Sequence, residues 1–299
     1  MNAYEEHQQE NRRIIHFTKA VPQSRLRTKG SPEEAPVTIA AGFSFSEGVI
    51  LCTDTKHTYS GAMKLQSPKI FKKEYSSGVK TAFCIVGTVR YCKMIVQKCE
   101  GAIATLEQDK CSKVEVKTVI ETILLNTFQE HIYKHPDFAT RTLSAGFLIG
   151  IWSPIDGLGF YSTEDTAINE LFGYECLGQG SYLGHYILRP LFRDNLKMEQ
   201  VSLLATHVLI QVKNYDDSCG GDSQFVWLRK DGTISDVTYF DISQNESYSK
   251  WFESTTKMIF YDIPDLKLPE EDLRIKKAEY DALIEALSTR ERKHFYGEK

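Results

Sequence analysis

Between Val37 and Phe71 the chain reads VTIAAGFSFSEGVILCTDTKHTYSGAMKLQSPKIF. Three side chains in this stretch could act together: the hydroxyl of Thr38, the carboxylate of Asp54 and the amine of Lys69. A threonine hydroxyl is a poor nucleophile until a base takes its proton. One solution uses the threonine's own α-amino group, which requires that threonine to be the first residue of the mature chain. The α-amino pKa of about 7.7–8.0 suits that task near neutrality. A lysine nearby would lower it further and steady negative charge on the oxygen, and an aspartate would hold the lysine in place. The residues also have an ordinary reading, as a strand threonine, a strand-end aspartate and an edge lysine. Residue types alone leave both open.

The elements that would carry these groups are β-rich. Val37–Ala41 is an apolar run that alternates on through Phe43 and Phe45, turns at Ser46-Glu47-Gly48 and returns over Val49–Thr53, the pattern of a β-hairpin. Short β segments follow at Met63–Gln66, Lys69–Tyr75 and Thr81–Gly87. Apolar residues then recur at helical spacing over about Val89–Leu106 and Val114–Tyr133, predicting two adjacent helices. Strands are predicted again at Leu143–Trp152, Gly159–Ser162 and Tyr174–Leu177, and helices at Tyr182–Phe192 and Met198–Val212. A closing hairpin of Phe225–Leu228 and Ile234–Val237 turns at Lys230-Asp231-Gly232. Strand blocks separated by helix pairs argue for two stacked antiparallel sheets flanked by helices.

The ends differ from this body. Residues 1–36 are rich in Glu, Gln, Arg, Lys and Pro, and read as an arm or propeptide. Residues 37–237 form the main domain and 238–299 a helical extension. Within the extension, Pro269-Glu270-Glu271-Asp272 is a helix start, followed by a stripe of Ile275, Tyr280, Leu283, Ile284 and Leu287.

Composition excludes several classes. A net charge of −4 gives no reason to expect nucleic acid or an anionic membrane as partner. No apolar run approaches the roughly 20 residues a spanning helix needs. Seven scattered cysteines, an odd number in mostly apolar company, predict reduced and buried thiols in a cytosolic protein. Cys92 and Cys99 would share a helix face, but no CxxC pair accompanies them and no zinc site is expected. His131 and His135 have the spacing of a metal pair on a helix without a third ligand, so neither metal nor cofactor is expected. Asn245-Glu246-Ser247 is a glycosylation sequon with no consequence in a cytosolic protein.

The string TIAAGFSFSEGVILCTDTKHT followed by SPKIF resembles the opening of proteasome-type subunits, the 20S β-subunit and HslV-like branch of the N-terminal-nucleophile hydrolases. Over residues 37–237 the resemblance implies an α+β fold, the four-layer αββα sandwich. It places Thr38 on the family's nucleophile, Asp54 on its aspartate and Lys69 on its lysine. Ile85-Val86-Gly87 matches the strand end whose glycine N–H forms the oxyanion hole, so that role falls to Gly87. Gly178-Gln179-Gly180-Ser181 matches the Gly-Ser-Gly-Ser turn, and Asp216-Asp217-Ser218-Cys219-Gly220-Gly221 the Asp-x-x-Ser-Gly-Gly motif, adding Ser181 and Asp216 to the site. His57, Ser67, Phe71, Ile85 and Val89 match the family's specificity positions.

The resemblance implies a polypeptide substrate, a homo-oligomeric ring and an ATPase regulator, with no nucleic acid and no membrane. Three features separate the chain from a self-cleaving member. Val37, after Pro36, stands where glycine usually precedes the nucleophile, and Gln179 and Cys219 replace two serines. Non-catalytic α-type subunits share the aspartate and lysine signatures, whereas Asp216 and Gly220 fit a β-type site. The implied activity is that of a threonine-type peptidase. The alternatives are a catalytically silent scaffold subunit that keeps its arm and an amidase acting on non-peptide substrates.

Overall fold

A computed structural model describes residues 38–59, 63–136 and 144–257, with scattered positions between 260 and 285. The arm of residues 1–36, the residue before Thr38, and Tyr280, Leu283, Ile284 and Leu287 of the expected stripe lie outside the described residues.

Two five-stranded antiparallel sheets organise the chain. The first has the order β10–β1–β2–β11–β12, with β1 at Ala40–Phe45, β2 at Gly48–Asp54, β10 at Tyr174–Leu177, β11 at Ser223–Arg229 and β12 at Ile234–Asp236. The second is β5–β6–β7–β8–β9, with β5 at Ile70–Glu74, β6 at Lys80–Gly87, β7 at Ala145–Ser153, β8 at Gly157–Glu164 and β9 at Ala167–Glu170. A separate hairpin pairs β3 (Lys56–Tyr59) with β4 (Met63–Gln66).

Successive residues of each strand point to opposite faces of its sheet. In β1 and β2, Ala40, Val49 and Leu51 turn towards the other sheet and meet Ala82, Cys84, Leu148 and Phe160. Ala41, Phe43, Ile50 and Cys52 turn outward beneath α3 (Ser181–Leu191) and α4 (Met198–Tyr215), against Leu188, Ala205, Val208 and Leu209. On the second sheet, Phe83, Ile85, Phe147 and Ile149 are covered by α1 (Val89–Ile103) and α2 (Lys113–Thr127), through Ile95, Cys99, Ile120 and Leu124. The result is the expected four-layer αββα sandwich. At the central seam the Phe160 ring lies where a Cβ on Gly42 would stand, so only glycine fits there without repacking.

All seven cysteines are free and buried, most of them inside these clusters. No described helix is long and apolar enough to cross a membrane.

Three elements were not legible in the pattern. Edge strand β9 buries only Ile168 of its four residues. Strand β3 is short and polar. Helix α5 (Tyr239–Lys257) buries only Ile242 and Ser249, so it has no apolar stripe to read. It docks on α4 largely through polar pairs, Ser249 Oγ with His207 Nδ1 at 2.8 Å and the Asn245 amide donating to Ser202 Oγ at 2.9 Å. Asn245, the sequon residue, is thereby committed within the fold. The second predicted helix ends earlier than its apolar spacing implies. It is opened by a Ser112–Glu115 capping box, and past Thr127 it widens into a π-helical turn at Phe128–Tyr133. His131 and His135 therefore do not share an α-helical face, and among the described residues no group of three His, Cys, Asp or Glu could hold a metal ion. In the extension a helical turn begins at Glu270, with the Asp272 N–H donating to the Pro269 carbonyl at 2.9 Å, and Ile275 is half exposed.

The seam between the sheets should be the costliest place to remove volume. Leu51→Ala should lower stability by about 2–5 kcal/mol, measured as a reduced urea midpoint at unchanged slope.

Candidate active site

The register of the first hairpin makes the first contact. Ala40 pairs with Thr53, which puts Thr38 at the open end of β1 beside Asp54, the last residue of β2. The Asp54 N–H donates to the Ile39 carbonyl at 3.3 Å, and the Thr53 hydroxyl donates to the same carbonyl at 2.8 Å. Lys69 arrives from the other sheet, immediately before β5. Its backbone is held twice: its N–H donates to Gln224 Oε1 of β11 at 2.8 Å, and its carbonyl accepts from the Ile85 N–H of β6 at 2.9 Å. The three groups thus meet where the ends of both sheets come together.

All three are buried, with Thr38 at 3%, Lys69 at 2% and Asp54 at 0% exposure. The Thr38 hydroxyl donates to Asp54 Oδ1 through a short hydrogen bond. Lys69 Nζ lies 2.5 Å from Thr38 Oγ1 and 2.8 Å from Asp54 Oδ1. Asp54 Oδ1 also accepts the Ile39 N–H at 3.2 Å, while Oδ2 accepts the Gly220 N–H at 2.9 Å. The carboxylate is therefore ringed by donors. Burial lowers the Lys69 pKa, with the Asp54 charge opposing the shift. An ammonium in contact with a hydroxyl oxygen favours negative charge on that oxygen, which is what an attacking alkoxide needs.

Two loops close the cluster. The Gly180 N–H donates to the Thr38 carbonyl at 3.2 Å, and the Ser181 N–H to the Gly178 carbonyl at 3.1 Å, so Ser181 opens α3 one turn away from Thr38. Gly178 has φ +95°, and a Cβ there would run into the Thr38 carbonyl oxygen. On the other side, Asp216 caps α4 and its Oδ1 accepts the Ser218 N–H at 2.9 Å and the Ser218 hydroxyl. Asp216 thus shapes the loop that carries Gly220. Gly87 ends β6 at φ +112°, with the Ser144 carbonyl oxygen where a Cβ would lie.

Of the positions matched to specificity, Ile85 is buried, and Phe71 and Val89 pack partly buried against the same cluster. The Ser67 N–H donates to the Thr55 carbonyl at 3.1 Å. His57 is 5% exposed, hydrogen-bonded to the Ser67 backbone, and its Nε2 has no partner among the described residues. Burial and then the nearby Lys69 charge push its pKa down to about 4. Gln224 and Lys56, which brace Lys69 and the Gly220 loop, carried no sequence signal, because each acts on backbone groups distant in the chain.

The family model for the proteasome subunit matches residues 37–228. No curated protein matches the chain. Among solved structures, the chain resembles Anbu from Yersinia bercovieri, described as an ancestral β-subunit, at 16% identity and TM-score 0.65, covering 78% of this chain and 100% of that one. Anbu from Pseudomonas aeruginosa, solved as a helical assembly, matches at 14% identity and TM-score 0.65, covering 78% and 99% respectively. Anbu from Hyphomicrobium sp. strain MC1 matches at 12% identity and TM-score 0.63, covering 77% and 100%. At such identities the likeness is one of fold.

Removing one member of the buried pair strands the other. Lys69→Met alone should cost about 3–5 kcal/mol, and adding Asp54→Asn should recover part of the loss in a double-mutant cycle by chemical denaturation. His57 gives a pH signature. The unfolded imidazole takes its proton near pH 6.5 and the folded one only near 4, so the unfolded chain binds more protons in between, and stability falls as pH drops through that window. His57→Leu should flatten the decline by on the order of 2 kcal/mol in denaturation curves at pH 7 and pH 4.

Proposed function

This chain belongs to the proteasome subunit family, and from that premise we propose that it is a threonine-type N-terminal-nucleophile hydrolase that cleaves peptide bonds inside a homo-oligomeric ring. The observation that carries the reading is the buried contact of the Lys69 ammonium with the Thr38 oxygen, anchored by Asp54. A structural lysine needs only the carboxylate. One that also touches a threonine hydroxyl is placed to stabilise charge on it.

With Val37 attached, the Thr38 nitrogen is an amide and has no basicity. Cleavage of the Val37–Thr38 bond would free an α-amine. That amine takes the hydroxyl proton as Oγ1 attacks the substrate carbonyl carbon, forming a tetrahedral adduct whose oxyanion is held by the Gly87 N–H. The same amine then protonates the leaving amine, and an ester to Thr38 remains. Water, deprotonated by the amine, attacks the ester carbonyl and releases the acid, and the hydroxyl is regenerated. Lys69 stays protonated throughout, and Asp54 holds it. Ser181 and Asp216 would support the turn and loop that frame Thr38. An ATPase regulator would unfold and feed the polypeptide substrate. Seven free thiols support a reducing, cytosolic setting.

A second reading, a silent scaffold subunit, is favoured by two features. The bond to be cut follows β-branched Val37 rather than glycine, and Cys219, its thiol pushed up to about 12 by burial, stands where a better hydroxyl donor is usual.

Intact mass and N-terminal sequencing of the purified chain separate the two. The hydrolase reading expects a chain beginning at Thr38 that is labelled by a threonine-directed electrophile, with Thr38→Ala abolishing both cleavage and labelling. Retention of the first residues together with no labelling would leave the scaffold. In the processed chain, Lys69→Met should slow labelling on the order of 100-fold or more.

A further inference from the structure

The bond from the Gly220 N–H to Asp54 Oδ2, at 2.9 Å, depends on a segment that belongs to no regular element. Residues 216–222 reverse direction between α4 and β11, with Gly220 at φ +155° and Gly221 at φ +75°. The Asp216–Ser218 turn fixes the start of this loop, and the Cys219 N–H donates to the Asp216 carbonyl at 2.9 Å. Those bonds do not aim the Gly220 amide. Aiming it requires the peptides on either side to be tied to the strand that carries Asp54.

Lys56 makes that tie. It stands two residues beyond Asp54 at the head of β3, and its Nζ donates to the carbonyl of Asp217 and, at 3.3 Å, to that of Cys219. Its own N–H donates to the Gly220 carbonyl at 3.0 Å. The peptide linking Cys219 to Gly220 therefore has its oxygen on Lys56 and its N–H on Asp54. A Cβ on Gly220 would stand 3.1 Å from Lys56 Cδ, so the ammonium stem passes directly over the residue it positions. Lys213, by contrast, holds the far side of the loop, through the Gly221 carbonyl at 3.1 Å and Ser223 Oγ at 2.8 Å.

We propose that Lys56 is a positioning residue: by clamping the Asp217 and Cys219 carbonyls it delivers the Gly220 N–H to Asp54 and so completes the ring of donors around the carboxylate that anchors Lys69 at Thr38. The link to catalysis rests on the hydrolase reading above, while the clamp itself does not. Losing the Gly220 donor would leave Asp54 Oδ2 without that hydrogen bond and loosen the buried carboxylate that holds Lys69. Arginine, with donors in a fork, can span two carbonyls, and methionine cannot.

The test uses the full chain with 15N-labelled glycine, as wild type, Lys56→Met and Lys56→Arg. The amide exchange rate of Gly220 is compared with those of Gly146 and Gly150 in β7. Lys56→Met should accelerate Gly220 exchange at least about tenfold relative to the β7 glycines. Lys56→Arg should restore the exchange rate to within a few-fold. Exchange at Gly220 that is unchanged, or that rises only in step with Gly146 and Gly150, overturns the clamp. Where the processed wild type labels at Thr38, Lys56→Met should slow that labelling at least about tenfold and Lys56→Arg should largely restore it, and an unchanged rate in Lys56→Met overturns the link to the site. A wild type that never labels removes the hydrolase reading and leaves the exchange comparison to decide on Lys56.

Discussion

Taking a carboxylate and an ammonium out of water costs more than their attraction returns unless their remaining lone pairs and protons find partners. Asp54 and Lys69 are buried together, and most of what is unusual in the chain serves that condition. Asp54 Oδ1 takes the Lys69 ammonium, the Thr38 hydroxyl and the Ile39 N–H, and Oδ2 takes the Gly220 N–H. These donors come from the hairpin, the residue just before β5 and the loop after α4. None of these segments could be displaced without stranding a buried charge. The threonine is bound into the same arrangement, so the residue best placed to react is also one of the groups that satisfies the ion pair.

The layered fold explains how such distant segments meet at one point. The first sheet supplies Thr38 and Asp54 through a hairpin register, and the second supplies Lys69. At their seam Gly42 makes room for the Phe160 ring of the other sheet. Gln224, from the first sheet, reaches the Lys69 backbone and ties the sheets together at the site. Interiors packed at crystal-like density transmit such constraints efficiently, so the apolar seam and the polar cluster form one mechanical unit. Helix α5 lies beyond the residues shared with the family and is attached differently. Its bonds to α4 run mainly through Ser, Asn and His side chains, with Ile242 alone reaching the apolar cluster beneath the first sheet.

Much of this was written in the sequence. Short apolar runs placed β2, β6 and β7, which are buried on both faces, and periodicity near 3.6 placed α1 to α4, because each helix buries one face and its apolar residues must recur at that interval. The hairpin and the spacing of Thr38, Asp54 and Lys69 carried the family resemblance, and with it the expected sandwich. Short, polar or hydrogen-bonded elements were illegible for the same reason. Strand β9 and helix α5 bury too little apolar surface to leave a pattern.

What only the tertiary structure decided is which backbone groups serve the site. The types at 38, 54 and 69 announce a nucleophile and its charges, since chemistry selects side chains. Gly220, Gln224 and Lys56 act by aiming an amide, bracing a strand and clamping carbonyls. Any residue possesses an amide and a carbonyl, so nothing in the order of letters marks the ones that converge. Their roles arise when a loop closes against a strand more than a hundred and fifty residues earlier in the chain, and that proximity is a property of packing alone.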